Sequence, residues 1–365
     1  MSSPFHSNQL LANAVDKEKA KAFTQRLFTD MAGTMATGLG YVGTKTGLFK
    51  AMAGRGPMSL EAVIQQSGLQ GRYVEEWLKS MVSAGYLEYD PQNESYTLPD
   101  EHAYLLASDG TDHFAGGLLH MAPVMLAAAP KVADAFERGG GVPFEDYGEE
   151  GILALDLVNR GNYEHRFTSY WLQALPDVID KLESGGRALD VGCGVGRVSL
   201  ALANAFQHSQ FVGVDLDVDS IDLATQAAHD KNLTDRVKFH ACTLDALDAP
   251  HGFDFITACD CVHDFADPIN TLKDIKTHLK ADGTLLVIEP KVADRLEDNC
   301  NPVATMFYGF SVFHCMTQSL AQGGPGLGTC MGPVRTEQLM REAGFTRFET
   351  LPIKSQVNLF YAVGS

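Results

Sequence analysis

The segment Leu189-Asp190-Val191-Gly192-Cys193-Gly194-Val195-Gly196 constrains this chain more than any other. An apolar strand pattern over Arg187–Val191 breaks into glycines at alternate positions and opens directly onto a helical pattern over 196–206. Glycines there permit a tight turn and let a ligand approach the main chain, while the helix start presents free N–H groups. The surrounding pattern alternates. Strands read at Arg187–Val191, Phe211–Leu216, Val237–Ala241, Phe253–Cys259 and Gly283–Glu289, with helices over 196–206, 218–231 and 267–280. Alternation at this spacing predicts a doubly wound parallel sheet. Phe345–Ile353 and Gln356–Val363, joined by a short turn, predict a terminal hairpin.

Two acids narrow the ligand. The glycine spacing is G-x-G-x-G, not the G-x-G-x-x-G of dinucleotide sites. Asp190 stands two residues before the first glycine, where a carboxylate repels a pyrophosphate but suits an amino-acid ammonium. Asp215 ends the next strand in Val212-Gly-Val-Asp215, placed to accept both hydroxyls of a ribose. Charge-assisted hydrogen bonds of that kind contribute about 1.5–3 kcal/mol each.

At 365 residues the chain has room for about two domains. Residues 21–52 read as helical, with apolar positions at Phe23, Leu27, Met31, Met35 and Leu39. Ser59 looks like the N-cap of a helix over Leu60–Gln66. A second helix spans 70–84 with Tyr73, Trp77, Leu78 and Met81 on one face, and two short strands follow around the turn Asp90-Pro-Gln-Asn93. Helix, turn, helix and hairpin make a winged helix over residues 1–110. Residues 111–183 form a helical connector, whose segment 162–171 is rich in aromatic and polar groups suited to a pocket wall or to packing. Residues 184–365 carry the sheet.

Composition excludes several classes. A formal net charge of -18 argues against nucleic acid as a partner. Residues 1–110 hold nine Lys and Arg against twelve Asp and Glu, and Arg72 and Lys79 on the second helix are opposed by Glu75 and Glu76. The N-terminus lacks a basic start followed by an apolar core, so no signal peptide is expected. The most apolar stretch, Phe114–Pro130, is too short and interrupted to span a bilayer, which predicts a buried helix. Seven cysteines with no CxxC pair read as reduced thiols of a cytoplasmic protein. Cys259 and Cys261, read on one strand with side chains pointing the same way, together with Cys300, Cys315 and Cys330, leave soft-metal or arsenic chemistry as an alternative. No resident metal is expected.

From Asp190–Gly196 and Asp215, residues 185–365 resemble the class I S-adenosylmethionine methyltransferases. That resemblance implies an α/β, Rossmann-like fold with a seven-stranded sheet, here with an N-terminal winged-helix domain and a helical connector. It implies S-adenosylmethionine as cofactor. Asp190, Gly192, Cys193, Gly194 and Gly196 would serve its methionine end, Asp215 with Leu216 its ribose, Asp245 with Ala246 its adenine, and Cys259 would border it. The two-domain layout is similar to small-molecule O-methyltransferases of the plant phenolic type, which dimerise through the winged-helix domain.

In that family the base lies in a His-Asp-aromatic motif, matched by His263-Asp264-Phe265, and a glutamate on the fifth strand, matched by Glu289, orients it. Histidine is also the side chain best suited to take a proton near neutral pH. Cys259 and Asp260 stand where the family has bulky or basic residues, and the insert Asn301–Thr329 has no counterpart. The expected function is methyl transfer to a small-molecule acceptor, a hydroxyl, by a homodimer without nucleic-acid or membrane partners. Methylation of a thiol, thioether or arsenical, and a winged-helix regulator that binds the cofactor, stand as alternatives.

Overall fold

The computed structural model describes residues 15–365, so most of the N-terminal stretch read for a signal peptide lies outside the described residues. The chain divides into a first unit ending at Asp109 and a second spanning Gly110–Ser365. Helices α1 (Lys17–Lys45), α2 (Leu48–Met52), α3 (Leu60–Ser67), α4 (Gly71–Ser83) and α5 (Asp100–Leu106) build the first unit with strands β1 (Glu88–Asp90) and β2 (Ser95–Thr97).

The single helix expected over 21–52 breaks at Gly47, whose φ of 77° starts α2. Ser59 caps α3 by accepting a hydrogen bond from the Ala62 N–H at 3.2 Å. Helix α4 buries Val74, Trp77, Leu78 and Met81, positions i, i+3, i+4 and i+7 of one face. Tyr73, expected on that face, is 82% exposed, because one residue rotates a side chain about 100° around a helix. Strands β1 and β2 pair antiparallel as the wing. Helix α1 shows the reverse of a core pattern: Phe23, Leu27, Phe28, Met31 and Met35 are all more than half exposed.

In the second unit, helices α6 (Gly116–Ala127), α7 (Ala129–Arg138), α8 (Gly148–His165) and α9 (Pro176–Glu183) precede the sheet. Strands β3 (Arg187–Val191), β4 (Gln210–Asp215), β5 (Val237–Ala241), β6 (Phe253–Cys259), β7 (Leu279–Pro290), β8 (Arg347–Thr350) and β9 (Asn358–Gly364) form one sheet in the order β5-β4-β3-β6-β7-β9-β8. The first five run parallel, and β9 and β8 close the edge antiparallel as the expected hairpin. Alternate residues along the strands enter two cores. Ala188, Phe211, Phe255 and Ile288 face one side, and Leu189, Val191, Ile256 and Val287 the other. Both faces are therefore apolar, as a sheet covered by helices on each side requires. The covering helices include α10 (Arg197–Ala205), α11 (Val218–Asp230) and α12 (Pro268–His278).

The first part of the insert is helical, and its glycine run over 322–329 is turn and irregular loop. Helix α13 (Pro302–Phe310) passes through a π-turn at Ser311–Cys315 into α14 (Met316–Ala321), and α15 (Pro333–Glu342) follows. Among the described residues no helix is long and apolar enough to cross a membrane. The chain steps from β3 outward to β4 and β5, then returns across β3 to β6. Strand order reverses there, and in open α/β sheets ligands bind at the carboxyl ends beside that reversal.

One ion cluster anchors α8 to the helix that begins at the glycine turn. Arg197, the first residue of α10, forks onto Asp156 with Nε at 2.7 Å from Oδ1 and Nη2 at 2.9 Å from Oδ2. Arg160 pairs with the same carboxylate, and Glu164 takes the remaining Arg197 nitrogen at 2.8 Å. Burial alone would raise Asp156, but the two guanidiniums outweigh it and hold the carboxyl below its ordinary range. Removing one partner from a buried pair costs about 3–5 kcal/mol, and the partly exposed arginines reduce this. Asp156→Asn should therefore destabilise the second unit by roughly 2–4 kcal/mol at pH 7, read by urea unfolding through Trp171 in a Trp77→Phe background. A depressed carboxyl stabilises above its unfolded pKa of about 3.9 and ceases to do so as pH falls through its folded value. The gap between wild type and variant should narrow at about pH 3, and an equal gap at both pH values would remove the ion cluster from the account.

Candidate active site

The three glycines of the β3–α10 turn all have positive φ, 64°, 49° and 75° at Gly192, Gly194 and Gly196. Their surroundings divide them. A Cβ on Gly192 would meet Cys261 at 2.9 Å and one on Gly196 would meet the Phe239 ring at 2.5 Å, whereas one on Gly194 meets nothing within 4 Å. Two glycines thus serve close packing, and the third leaves the main chain open to a ligand. The open side is the carboxyl edge of the sheet.

Around it stand the residues singled out from sequence. Asp215 accepts the Gly194 N–H at 2.8 Å through Oδ2 and the Asp217 N–H at 3.0 Å through Oδ1. Burial pushes its carboxyl up. Leu216 follows it, 61% exposed, an apolar side chain suited to a flat aromatic ring. Asp245 and Ala246 lie exposed on a short turn, Leu244–Ala246, after β5. These positions fit an adenosyl group: a carboxylate held in place by main-chain N–H groups with lone pairs left to accept, one apolar platform and an open glycine. Asp190 is placed differently. Its oxygens accept from Thr257 Oγ1 at 2.7 Å and Ser199 Oγ at 3.0 Å, so it braces the turn from within the sheet. Burial pushes its carboxyl up to about 6.

Cys193 closes the turn through its N–H to the Val214 carbonyl at 3.1 Å. Cys259 ends β6, and Asp260 after it takes a φ of 52°. That left-handed step sends Cys261 to the other side of the sheet: Cys259 packs on one core and Cys261 on the opposite one. The two thiols read as pointing the same way therefore do not converge. Burial holds both thiols protonated, well above their ordinary value.

Asp260 has partners no local pattern announces. Tyr163 on α8 donates to its Oδ2 at 3.0 Å, and Asn358 at the start of β9 donates to its Oδ1 at 3.2 Å. Burial, reinforced by Glu289, pushes this carboxyl up to about 7. The aromatic segment 162–171 thus contributes Tyr163 directly to the edge of the site.

His263 sits on a turn after β6, Val262–Asp264, fully enclosed. Its Nδ1 lies 2.5 Å from Oε2 of Glu289 on β7, and Oε1 of Glu289 accepts the Val262 N–H at 3.1 Å. Burial pushes an imidazole down, but the Glu289 and Asp264 carboxylates outweigh it and hold His263 well above its usual value. With Nδ1 committed to Glu289, Nε2 is the atom left for chemistry. It faces Asp264 Oδ1 at 3.6 Å, an oxygen that is buried with no hydrogen-bond partner. The insert closes over this group, with Gly328 N–H donating to the His263 carbonyl at 3.2 Å and Ser319 Oγ to the Phe265 carbonyl at 3.2 Å. His263, Asp264 and Cys315 present ligand atoms all within 4.8 Å of one another.

Residues 182–341 match a family model described as a methyltransferase domain, and residues 34–108 one described as an Rv2258c-like winged HTH domain. The ubiquinone biosynthesis O-methyltransferase of Psychrobacter arcticus is 27% identical over 166 residues, 45% of this chain and 60% of that protein. The (S)-coclaurine N-methyltransferase of Papaver somniferum is 32% identical over 107 residues, 29% of this chain and 30% of that protein. The chain thus spans less than two thirds of the length of either curated relative. Solved structures match almost end to end. Human N-acetylserotonin methyltransferase in complex with S-adenosylmethionine gives a TM-score of 0.68 at 20% identity, covering 94% of this chain and 98% of that one. An O-methyltransferase family protein from Burkholderia thailandensis gives 0.64 at 14%, covering 96% and 98%. Identity this low establishes the fold, and the fold is that of the class I methyltransferases with an N-terminal winged helix.

Proposed function

We propose that this chain, class I S-adenosylmethionine-dependent methyltransferase in its fold and domain families, methylates a hydroxyl of a small molecule with His263 as general base. The His263–Glu289 contact, buried at the carboxyl ends of β6 and β7, carries this reading. Bound S-adenosylmethionine supplies an activated sulfonium methyl for in-line attack by the acceptor. The turn Gly192–Gly196 and Asp215 would hold its polar end and ribose, Leu216 and Asp245–Ala246 its adenine, and Cys259 its border, while Asp190 holds the turn in shape.

Alignment and exclusion of water are what the protein adds to such a transfer, and orientation alone can lower a barrier by about 7–11 kcal/mol. A hydroxyl acceptor has one further need, removal of its proton. Glu289 fixes Nδ1 of His263 as the donor, so that the neutral imidazole carries its lone pair on Nε2, and its negative charge stabilises the imidazolium that forms. A thioether acceptor needs no such pair.

The winged helix reads here as a dimerisation module of a cytoplasmic enzyme. Arg72 on α4 is paired with Glu75 and Glu76, and Lys79 with Glu75, so the would-be recognition helix offers few free cations to phosphates. The exposed apolar face of α1 suits a second copy of this chain, since apolar patches of that extent mark protein contacts. Sedimentation at micromolar protein should give a dimer, and Phe28→Glu with Met31→Glu a monomer. A monomeric wild type would end the dimer reading.

His263→Ala should lower turnover by about 10²–10⁴, the range for a general base, with S-adenosylmethionine affinity by calorimetry nearly unchanged. Glu289→Gln should lower it less, because that residue orients the imidazole and takes no proton. A folded His263→Ala enzyme within about fivefold of wild type would transfer the proposal to a sulfur acceptor.

A further inference from the structure

The insert brings to His263 a set of groups that proton abstraction does not use. Cys315 ends the π-turn between α13 and α14, and interruptions of that kind concentrate at functional sites. Its thiol is buried, with Sγ 3.6 Å from Nδ1 of the neighbouring His314. Asp264 Oδ1 is buried and lacks a hydrogen-bond partner, yet lies 3.6 Å from His263 Nε2. A lone carboxylate oxygen left unsatisfied beside an imidazole nitrogen and a thiol is what a cation site looks like before the cation arrives.

We infer that His263 Nε2, Asp264 Oδ1 and Cys315 Sγ form a binding site for a borderline-soft divalent cation of the zinc type, which competes with proton abstraction for the same nitrogen. The donor set is one nitrogen, one oxygen and one sulfur, the types zinc takes in tetrahedral sites. Bond lengths of about 2.0–2.3 Å place tetrahedral donors roughly 3.4–3.6 Å apart. The nitrogen–oxygen pair already stands at 3.6 Å, and each of the three residues offers a ligand atom within 4.8 Å of the other two, so a modest shift closes the site. Glu289 completes it from behind. A metal-bound histidine almost always gives its other N–H to a carboxylate or carbonyl, and His263 Nδ1 meets Glu289 Oε2 at 2.5 Å. Three protein donors leave a fourth position open, where a water or an acceptor thiolate would stand. Binding exchanges protons for the metal: the Cys315 thiol and the Nε2–H of the His263 imidazolium give up their protons to solvent as the sulfur–metal and nitrogen–metal bonds form, and no electron is transferred. The serine, threonine and glycine turns of the insert hold Cys315 over the site, with Gly328 bonded to the His263 carbonyl and Thr317 Oγ1 accepting the Val142 N–H at 3.0 Å.

The site shares His263 with the proposed base, so its test is made without acceptor and without turnover. Full-length protein stripped of metal is titrated with zinc against a chromophoric chelator, and cofactor affinity confirms that each variant is folded. Wild type should bind one zinc ion per chain. Cys315→Ser should weaken binding by more than the roughly 10–100-fold that loss of an outer partner causes, and Cys300→Ser, at an exposed cysteine, should leave it unchanged. Asp264→Asn should weaken it as well, which keeps the test intact if the cysteine variant does not fold. Absence of zinc binding by wild type, or equal binding by wild type, Cys315→Ser and Asp264→Asn, overturns the inference. Neither result bears on whether His263 takes a proton from a hydroxyl.

Discussion

Glu289 is an acid inside a protein, and the site is arranged around making that tolerable. Its side chain is 4% exposed, deep on a strand whose neighbours are apolar on both faces. A carboxylate there needs donors, and two arrive from the turn after β6: the Val262 N–H and Nδ1 of His263. The parallel pairing of β6 with β7 sets their approach, with Cys259 opposite Ile288 in the register. Lose that register and the acid is stranded, with a penalty of several kcal/mol for an unpaired buried charge. Satisfaction of Glu289 and orientation of His263 are therefore one interaction.

The same edge of the sheet holds two more acids, the enclosed Asp190 and the partly buried Asp260, each braced by hydroxyl or amide donors from other strands and helices. Burial raises both carboxyls, to about 6 and about 7. Asp215 repels Asp190 and Glu289 repels Asp260, and the direction of that repulsion favours a cationic ligand. A sulfonium is such a ligand, and so is a metal ion. The geometry that makes the edge hospitable to the cofactor's charge also makes His263, Asp264 and Cys315 hospitable to zinc.

Much of the sheet and its turn was legible because the information is local. Apolar strands, glycines at alternate positions and an acid ending the next strand need no distant partner to be read, and His263 with Glu289 stood at the ends of adjacent parallel strands. Other features escaped for physical reasons. Asp260 takes a left-handed backbone that favours glycine, and its partners Tyr163 and Asn358 lie about a hundred residues away on either side. That single residue also separates Cys259 from Cys261, which a strand continued through it would have aligned. Asp156 looks like any acid on a helix until Arg197 folds onto it. The periodicity of α1 signalled an apolar face correctly but could not say that this face stays exposed among the described residues. The roles of Asp245, His263 as base and Glu289 as its orienting partner were readable only through resemblance.

The central claim is that an oxygen accepts the methyl group. Purified protein incubated with methyl-labelled S-adenosylmethionine and a panel of phenols, thiols and arsenite tests it most directly, with products separated and the labelled atom identified by mass spectrometry. The account predicts label on the oxygen of one or more hydroxylated compounds, lost in the His263→Ala protein. Label confined to sulfur or arsenic, and undiminished in that variant, would contradict it.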